Sequence, residues 1–213
     1  TAANGIDDVT PKVYEEIWDN GIGGAVLNGF GRKTTEGAMT YTSPAFEIEG
    51  ISLSAAVDYD PNANATSNDH DAVAAADASY GSGTAYVIKG SDMGVSAGAG
   101  IETIQGNPGK SDLSNSTAYV TYTMGAASVG LQAYDLNNGN TGGADYTGET
   151  YSIAFNVNDN LSVGYQVLKE EKAAIGDAVS IEQKMDGLSV AYSMGGMTLA
   201  VQQIDVKGAN FTS

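Results

Sequence analysis

The chain has 213 residues, no cysteine, 28 glycines, and 26 acidic against 9 basic side chains, for a formal charge of −17. That charge repels nucleic-acid phosphates, and the lack of cysteine excludes a disulfide framework, a thiolate nucleophile and a Cys-based metal site. With so much glycine and only 16% charged residues, an all-β chain is a better prior than a helical enzyme.

Residues 1–31 are punctuated by glycine, carry Asp7, Asp8, Glu15, Glu16 and Asp19, and read as a loop with a helical turn allowed at "KVYEEIWDN". A loop of that length implies a function. Alternation begins over residues 36–43, with Met39 and Tyr41 opposite Thr40 and Thr42, and "SPAFEIEG" breaks it. "ISLSAAVDYD" follows: Leu53, Ala55, Val57 and Tyr59 face one way, Ser52, Ser54, Ala56 and Asp58 the other. After a polar loop over residues 61–71, residues 72–89 are one long strand or two short ones, and Gly90, Ser91 and Asp92 turn into a strand over 95–105. A loop at 106–115 leads to alternation over 117–124, and "GAA" turns into Val129, Leu131 and Ala133 opposite Ser128, Gly130 and Gln132. Residues 137–148 are a loop rich in Asn and Gly.

Two hairpins close the chain. Ile153, Phe155 and Val157 lead through "NDN" (Asn158, Asp159, Asn160) into Leu161, Val163, Tyr165 and Val167; Leu188, Val190, Tyr192 and Met194 lead through Gly195 and Gly196 into Met197 and Leu199. Between the hairpins, the charged "KEEKAAIGDAVSIEQKMDG" (169–187) reads as a long loop. Tight turns at one end and long loops at the other predict an antiparallel up-and-down meander of about ten strands.

The faces decide what such a meander encloses. A soluble sandwich would crowd its apolar parity with large side chains and its outer parity with Lys and Glu. Here the polar parity is Ser, Thr, Gln, Asn and Gly, suited to a wet interior, while the apolar parity is modest in size. Tyr59, Tyr122, Tyr165 and Tyr192 share the apolar parity, as in an aromatic girdle, although core tyrosines bonded through their hydroxyls fit the same positions. No apolar run reaches the roughly 18 residues of a membrane-spanning helix, but a β-strand needs only about 9–11. No basic-then-apolar leader stands at Thr1, and the chain opens without an initiator Met, as a mature or incomplete chain would.

Catalytic chemistry finds little support. His70 lies in the loop "TSNDHDA" without a Ser or Cys at a recognisable spacing, acidic pairs are too common to mark a hydrolase, and "GSGTAY" lacks the third glycine and following helix of a phosphate loop. We expect no enzyme and no cofactor. A structural calcium ion is the one group kept open, because Asp58, Asp60, Asp69 and Asp71 flank one loop, though at spacings that match no calcium loop.

"NGFGRKTTEGAMTYTSPAFEIEGISLSAAVDYDP" (28–61) resembles the stretch by which a Gram-negative outer-membrane general diffusion porin, of the alphaproteobacterial type, leaves its inward-folded third loop. The short turns and long loops extend the likeness over essentially the rest of the chain. The resemblance implies a transmembrane β-barrel in the outer membrane, a homotrimer of sixteen-stranded subunits, and passive diffusion of small hydrophilic solutes and ions with weak cation preference. On this reading the chain is one partial barrel domain (1–213), lacking about five strands at its start and about one at its end. The constriction loop is residues 1–31, with Glu15, Glu16 and Asp19 on its acidic side, Asp7 and Asp8 behind them, and Arg32 and Lys33 on the opposing basic wall. Trp18 is then a loop anchor, or part of the loop's own small core. An acidic loop that is simply solvated fits the same residues. The competing reading is a secreted, acidic, Gly/Asn-rich β-sandwich module of a surface-layer or adhesin protein.

Overall fold

The computed structural model describes residue 6 and residues 9–18, 38–61, 80–109, 111–139, 144–173 and 179–212. Among the described residues eleven strands follow one another: β1 Met39–Thr42, β2 Phe46–Ile48, β3 Ile51–Asp60, β4 Tyr80–Asp92, β5 Val95–Gly106, β6 Leu113–Met124, β7 Ala127–Asn137, β8 Tyr146–Asn156, β9 Leu161–Lys172, β10 Ile181–Met194 and β11 Met197–Lys207. They form a single sheet ordered β1-β3-β4-β5-β6-β7-β8-β9-β10-β11, with β2 also on β3. Each pairing is antiparallel between neighbours in the chain, apart from β1 with β3. This is the up-and-down meander expected from the alternation.

Turn chemistry sets the short connections. Met93 and Gly94 both have positive φ, 44° and 83°, the backbone of a two-residue turn whose twist matches the flanking strands. A β-carbon at Gly94 would run into the carbonyl oxygen of Thr123, so the position takes only glycine without a shift. In the turn after β8, the Asn158 side-chain oxygen accepts hydrogen bonds from the backbone N–H of Asn160 and Leu161 at 2.9 and 3.0 Å. The carbonyl of Asn160 in turn accepts from the N–H of Ser193, which ties this hairpin to the next.

At the other end the strands run further than alternation predicts. The charged stretch 169–187 is mostly strand: β9 continues to Lys172 and β10 starts at Ile181, leaving residues 173–180 as the connection. The loop expected over 106–115 gives way to β6 at Leu113 and the loop expected over 137–148 gives way to β8 at Tyr146; at the short-turn end, β4 carries on through Gly90, Ser91 and Asp92. In the extensions beside the long connections the outward face turns polar and the inward face mixes polar with apolar residues, so the hydropathy period vanishes while backbone pairing continues, as in Glu149 opposite Lys169. No helix forms at "KVYEEIWDN" among its described residues.

The sheet is apolar on its outward face and largely polar on the other. Val57, Tyr86, Ile88, Ile101, Val120, Leu131, Ile153 and Leu188 stand exposed, with Val120 41% and Leu188 50% accessible. Tyr59, Tyr122, Tyr165 and Tyr192 share that exposed face. Asn115, Thr117, Gln132, Thr150, Ser152, Gln166, Gln183 and Ser189 are buried on the opposite, inward face. Leu53, Val163 and Val190 are half-buried, and no second layer covers the apolar parity among the described residues. A sandwich would bury that parity.

The inward face changes character toward the long connections. There Ile104, Leu113, Tyr134, Leu136, Leu168 and Met185 pack with Ile17, Trp18 and Phe211 into one apolar cluster. Phe211 arrives from a single 3-10 turn, Ala209–Phe211, that follows β11, and its ring lies 5.3 Å from that of Tyr146.

Candidate functional site

The inward face carries a cover made by the chain's own first residues. Three glycines point inward on β7, β9 and β10: Gly130 lies under the ring of Pro11, Gly164 under Val13 and Gly187 under Ile17. A β-carbon at Gly164 would fall 2.6 Å from Val13 Cγ2, and one at Gly187 2.8 Å from Ile17 Cγ2, so the strands are bare of side chains where residues 11–17 cross them.

Polar anchors fix the ends of this crossing. Gln132 on β7 donates from Nε2 to the carbonyl of Ile6 at 3.1 Å, and also to Thr117 Oγ1 at 3.1 Å. Gln202 on β11 donates to the carbonyl of Glu15 at 2.7 Å and to Ser189 Oγ at 3.2 Å. Ile6 packs on Ala56, Ala85, Val87 and Tyr119, while Ile17 and Trp18 enter the apolar cluster at the other end. Ile6 thus lies on β3 and β4, residues 11–17 reach across to β11, and the carbonyls of Ile6 and Glu15 are satisfied by side chains of the wall.

Its charges sort by exposure. The ammonium of Lys12 pairs with Glu16, whose side chain is fully buried, and lies 3.6 Å from Glu15 Oε1, whose side chain is 48% exposed. A side-chain hydrogen bond with Glu16, together with the charge and hydrogen bond of Lys12, holds the Glu15 carboxyl below the usual glutamate range. Glu16 is thus paired with Lys12 against the wall, and Glu15 stands on the exposed side of the segment.

The remaining sequence-predicted residues fall in two groups. Asp58 and Asp60 face inward on β3, 6% and 3% exposed, and both take part in polar interactions. Asp7, Asp8, Asp19, Arg32, Lys33, Asp69 and Asp71, like His70, lie outside the described residues. Among the described residues no three His, Asp or Glu side chains are grouped as a metal cage.

Two features escaped the sequence reading. One is the glycine seats, whose only sequence signal is glycine recurring on the polar parity of successive strands. The other is a buried network: Tyr134 donates to Glu170 Oε1 at 2.6 Å, Gln183 Nε2 donates to Glu170 Oε2 at 3.0 Å, and Gln183 Oε1 accepts from the backbone N–H of Asn210 at 2.7 Å. It joins β7, β9 and β10 to the turn that carries Phe211.

A sheet with its apolar face outward, bridged on its polar face by a chain segment, restricts the fold to barrels that meet lipid. A family model of Gram-negative porins matches residues 2–211. The chain belongs to the Gram-negative porins. A solved porin, refined at 1.8 Å resolution, superimposes with a TM-score of 0.54 at 17% identity, over 78% of this chain and 55% of the other. The chain thus spans about half the length of that porin. No curated relative matches it. Porin membership places the chain in the outer membrane, where the exposed valines, leucines and tyrosines of β3–β11 are the lipid-facing band of a transmembrane barrel.

Proposed function

We propose that the chain builds part of the wall and the constriction of a water-filled channel through which small hydrophilic solutes and ions diffuse passively, with a weak preference for cations. The observation that carries this is residues 9–18 laid across the polar inner face on their glycine seats. A segment held there reduces the free cross-section, and a carboxylate in a narrow passage with low-dielectric walls attracts cations. Residues 1–31 are the constriction loop. Glu15 is its water-facing acid, Glu16 with Lys12 its buried fastening, and Asp7, Asp8 and Asp19, with Arg32 and Lys33 opposite, complete it on sequence grounds.

The channel needs no cofactor and performs no reaction. Its native form is a homotrimer, and a calcium ion at Asp58, Asp60, Asp69 and Asp71 is a structural accessory at most. Conductance of the full-length protein in planar bilayers tests the reading: stepwise currents with a cation-directed reversal potential in a salt gradient are expected. Absence of discrete steps overturns the channel, and an anion-directed potential overturns the selectivity.

A further inference from the structure

The segment that crosses the inner face carries an aromatic ring in a setting unlike that of any other. Tyr14 is 57% exposed. Every other exposed aromatic side chain among the described residues lies on the outward face of the sheet, Tyr59, Tyr86, Tyr122, Tyr151, Tyr165 and Tyr192 included. On the inner side, Trp18, Tyr119, Tyr134 and Phe211 are buried and Tyr146 is half-buried. Tyr14 is therefore the one ring that the inner side offers to water among the described residues.

The backbone holds Tyr14 from both flanks. Before it, Val13 sits over Gly164 of β9; after it, the carbonyl of Glu15 accepts from Gln202 of β11 at 2.7 Å. With Val13 turned to the wall, the exposed ring of Tyr14 is left on the side of the passage. Fixing the segment on either side also means that little ordering remains to be done when a solute arrives.

The neighbouring charges suit a cation. Glu15, next in the chain, keeps its side chain exposed, and the ammonium of Lys12 is drawn to Glu16 and Glu15. The ammonium groups that lie over rings are those of Lys169 on Tyr151 and Lys172 on Tyr146; among the described residues none lies over Tyr14. An open ring face beside a carboxylate attracts positive charge, and most of all a cation whose charge is spread over carbon groups, because such an ion gives up little hydration to touch the ring. One ring and one carboxylate make a weak contact, which lets a solute leave as readily as it enters.

We propose that Tyr14 and Glu15 are the solute-contacting pair of the constriction and favour organic ammonium ions, quaternary or protonated amines, over inorganic cations and neutral sugars. The inference rests on the channel reading above and names the solutes that its narrow part prefers.

The test is the full-length protein in planar bilayers, recorded in potassium chloride with tetramethylammonium or sucrose added, for wild type, Tyr14→Leu, Tyr14→Phe and Glu15→Gln. Tetramethylammonium should interrupt the wild-type potassium current, with a half-effective concentration that rises about two- to fivefold in Tyr14→Leu and rises also in Glu15→Gln. Tyr14→Phe keeps the ring and should stay near wild type. Sucrose should not distinguish the four proteins. An unchanged value in either Tyr14→Leu or Glu15→Gln, or a sucrose effect that follows the ring as the tetramethylammonium effect does, would overturn the pair. Stepwise potassium currents accompanying that result defeat this inference alone, whereas absence of steps in the wild-type protein defeats the channel reading and the pair together.

Discussion

Val13 occupies the place that a side chain on Gly164 would need: a β-carbon there would sit 2.6 Å from Val13 Cγ2, with the Ile153 carbonyl oxygen at 3.2 Å behind it. The inner wall and the segment that crosses it are therefore fitted at the level of single atoms. Gly164→Val should push residues 11–17 away from the wall and into the lumen. Single-channel conductance is expected to fall, with an overpacking cost of about 1–3 kcal/mol. Bilayer recordings on refolded protein check this, and wild-type conductance in the variant counts against the seat.

Glu15 and Glu16 are neighbours with opposite duties. Glu15→Gln removes a water-facing charge and should move the reversal potential toward zero at little cost to folding. Lys12→Ala instead leaves the buried Glu16 side chain without its ammonium partner and should cost about 1–3 kcal/mol, read as a lower unfolding temperature. If the two substitutions have interchangeable effects, the division of roles fails.

The pH dependence has a definite sign. Glu15 is held below the usual glutamate range by its hydrogen bond with Glu16 and by Lys12, so the ionised form is favoured in the folded protein. A depressed carboxyl keeps its charge as pH falls through the ordinary value, about 4.3, and loses it only below. Cation preference should therefore stay flat from neutral pH to about that value and decline beneath it, in reversal potentials measured along a pH series. The stability linked to this group follows the same course, present above the ordinary value and lost as pH drops through the depressed one.

Tyr134 and Gln183 both donate to Glu170, and both oxygens of that carboxylate are engaged in the network. Tyr134→Phe keeps the ring in the apolar cluster and deletes one hydrogen bond to a buried acid. A loss of about 1.5–3 kcal/mol is expected in denaturant titration of folded barrels. A loss within error would show that the network contributes no stability.

Leu131 is 48% exposed on the outward face. For a water-facing residue, Leu131→Arg would change stability by no more than about 0.5 kcal/mol. Facing hydrocarbon it should cost about 2–4 kcal/mol, measured as the folding equilibrium into lipid vesicles. The two outcomes are far enough apart to identify the solvent of this face.

How much of this was legible depended on whether two neighbouring residues differ in hydropathy. Val163 and Gly164, or Leu131 and Gln132, alternate plainly, and their strands were read from the chain. Lys169, Glu170 and Glu171 do not alternate, although Glu170 is buried and its neighbours stand outside; their strand looked like a loop. Leu113, Leu136 and Met185 share the inward parity with Thr117, Gln132 and Gln183, so an apolar cluster inside the wall had no separate pattern to announce it. The acidic character of Glu15 and Glu16 was visible. Which of them meets water was not, because that depends on Lys12 lying one helical turn's spacing away on a segment that forms no helix.

The hydrogen bond from Gln202 to Glu15 joins residues 187 positions apart. Strands β1 to β10 stand between the two partners in the chain, so the segment that crosses the wall cannot take its anchor on β11 until the sheet between them has formed. Residues 11–17 find their seats one strand at a time, on Gly130 of β7, then Gly164 of β9, then Gly187 of β10, and Glu15 is fastened only once β11 has paired.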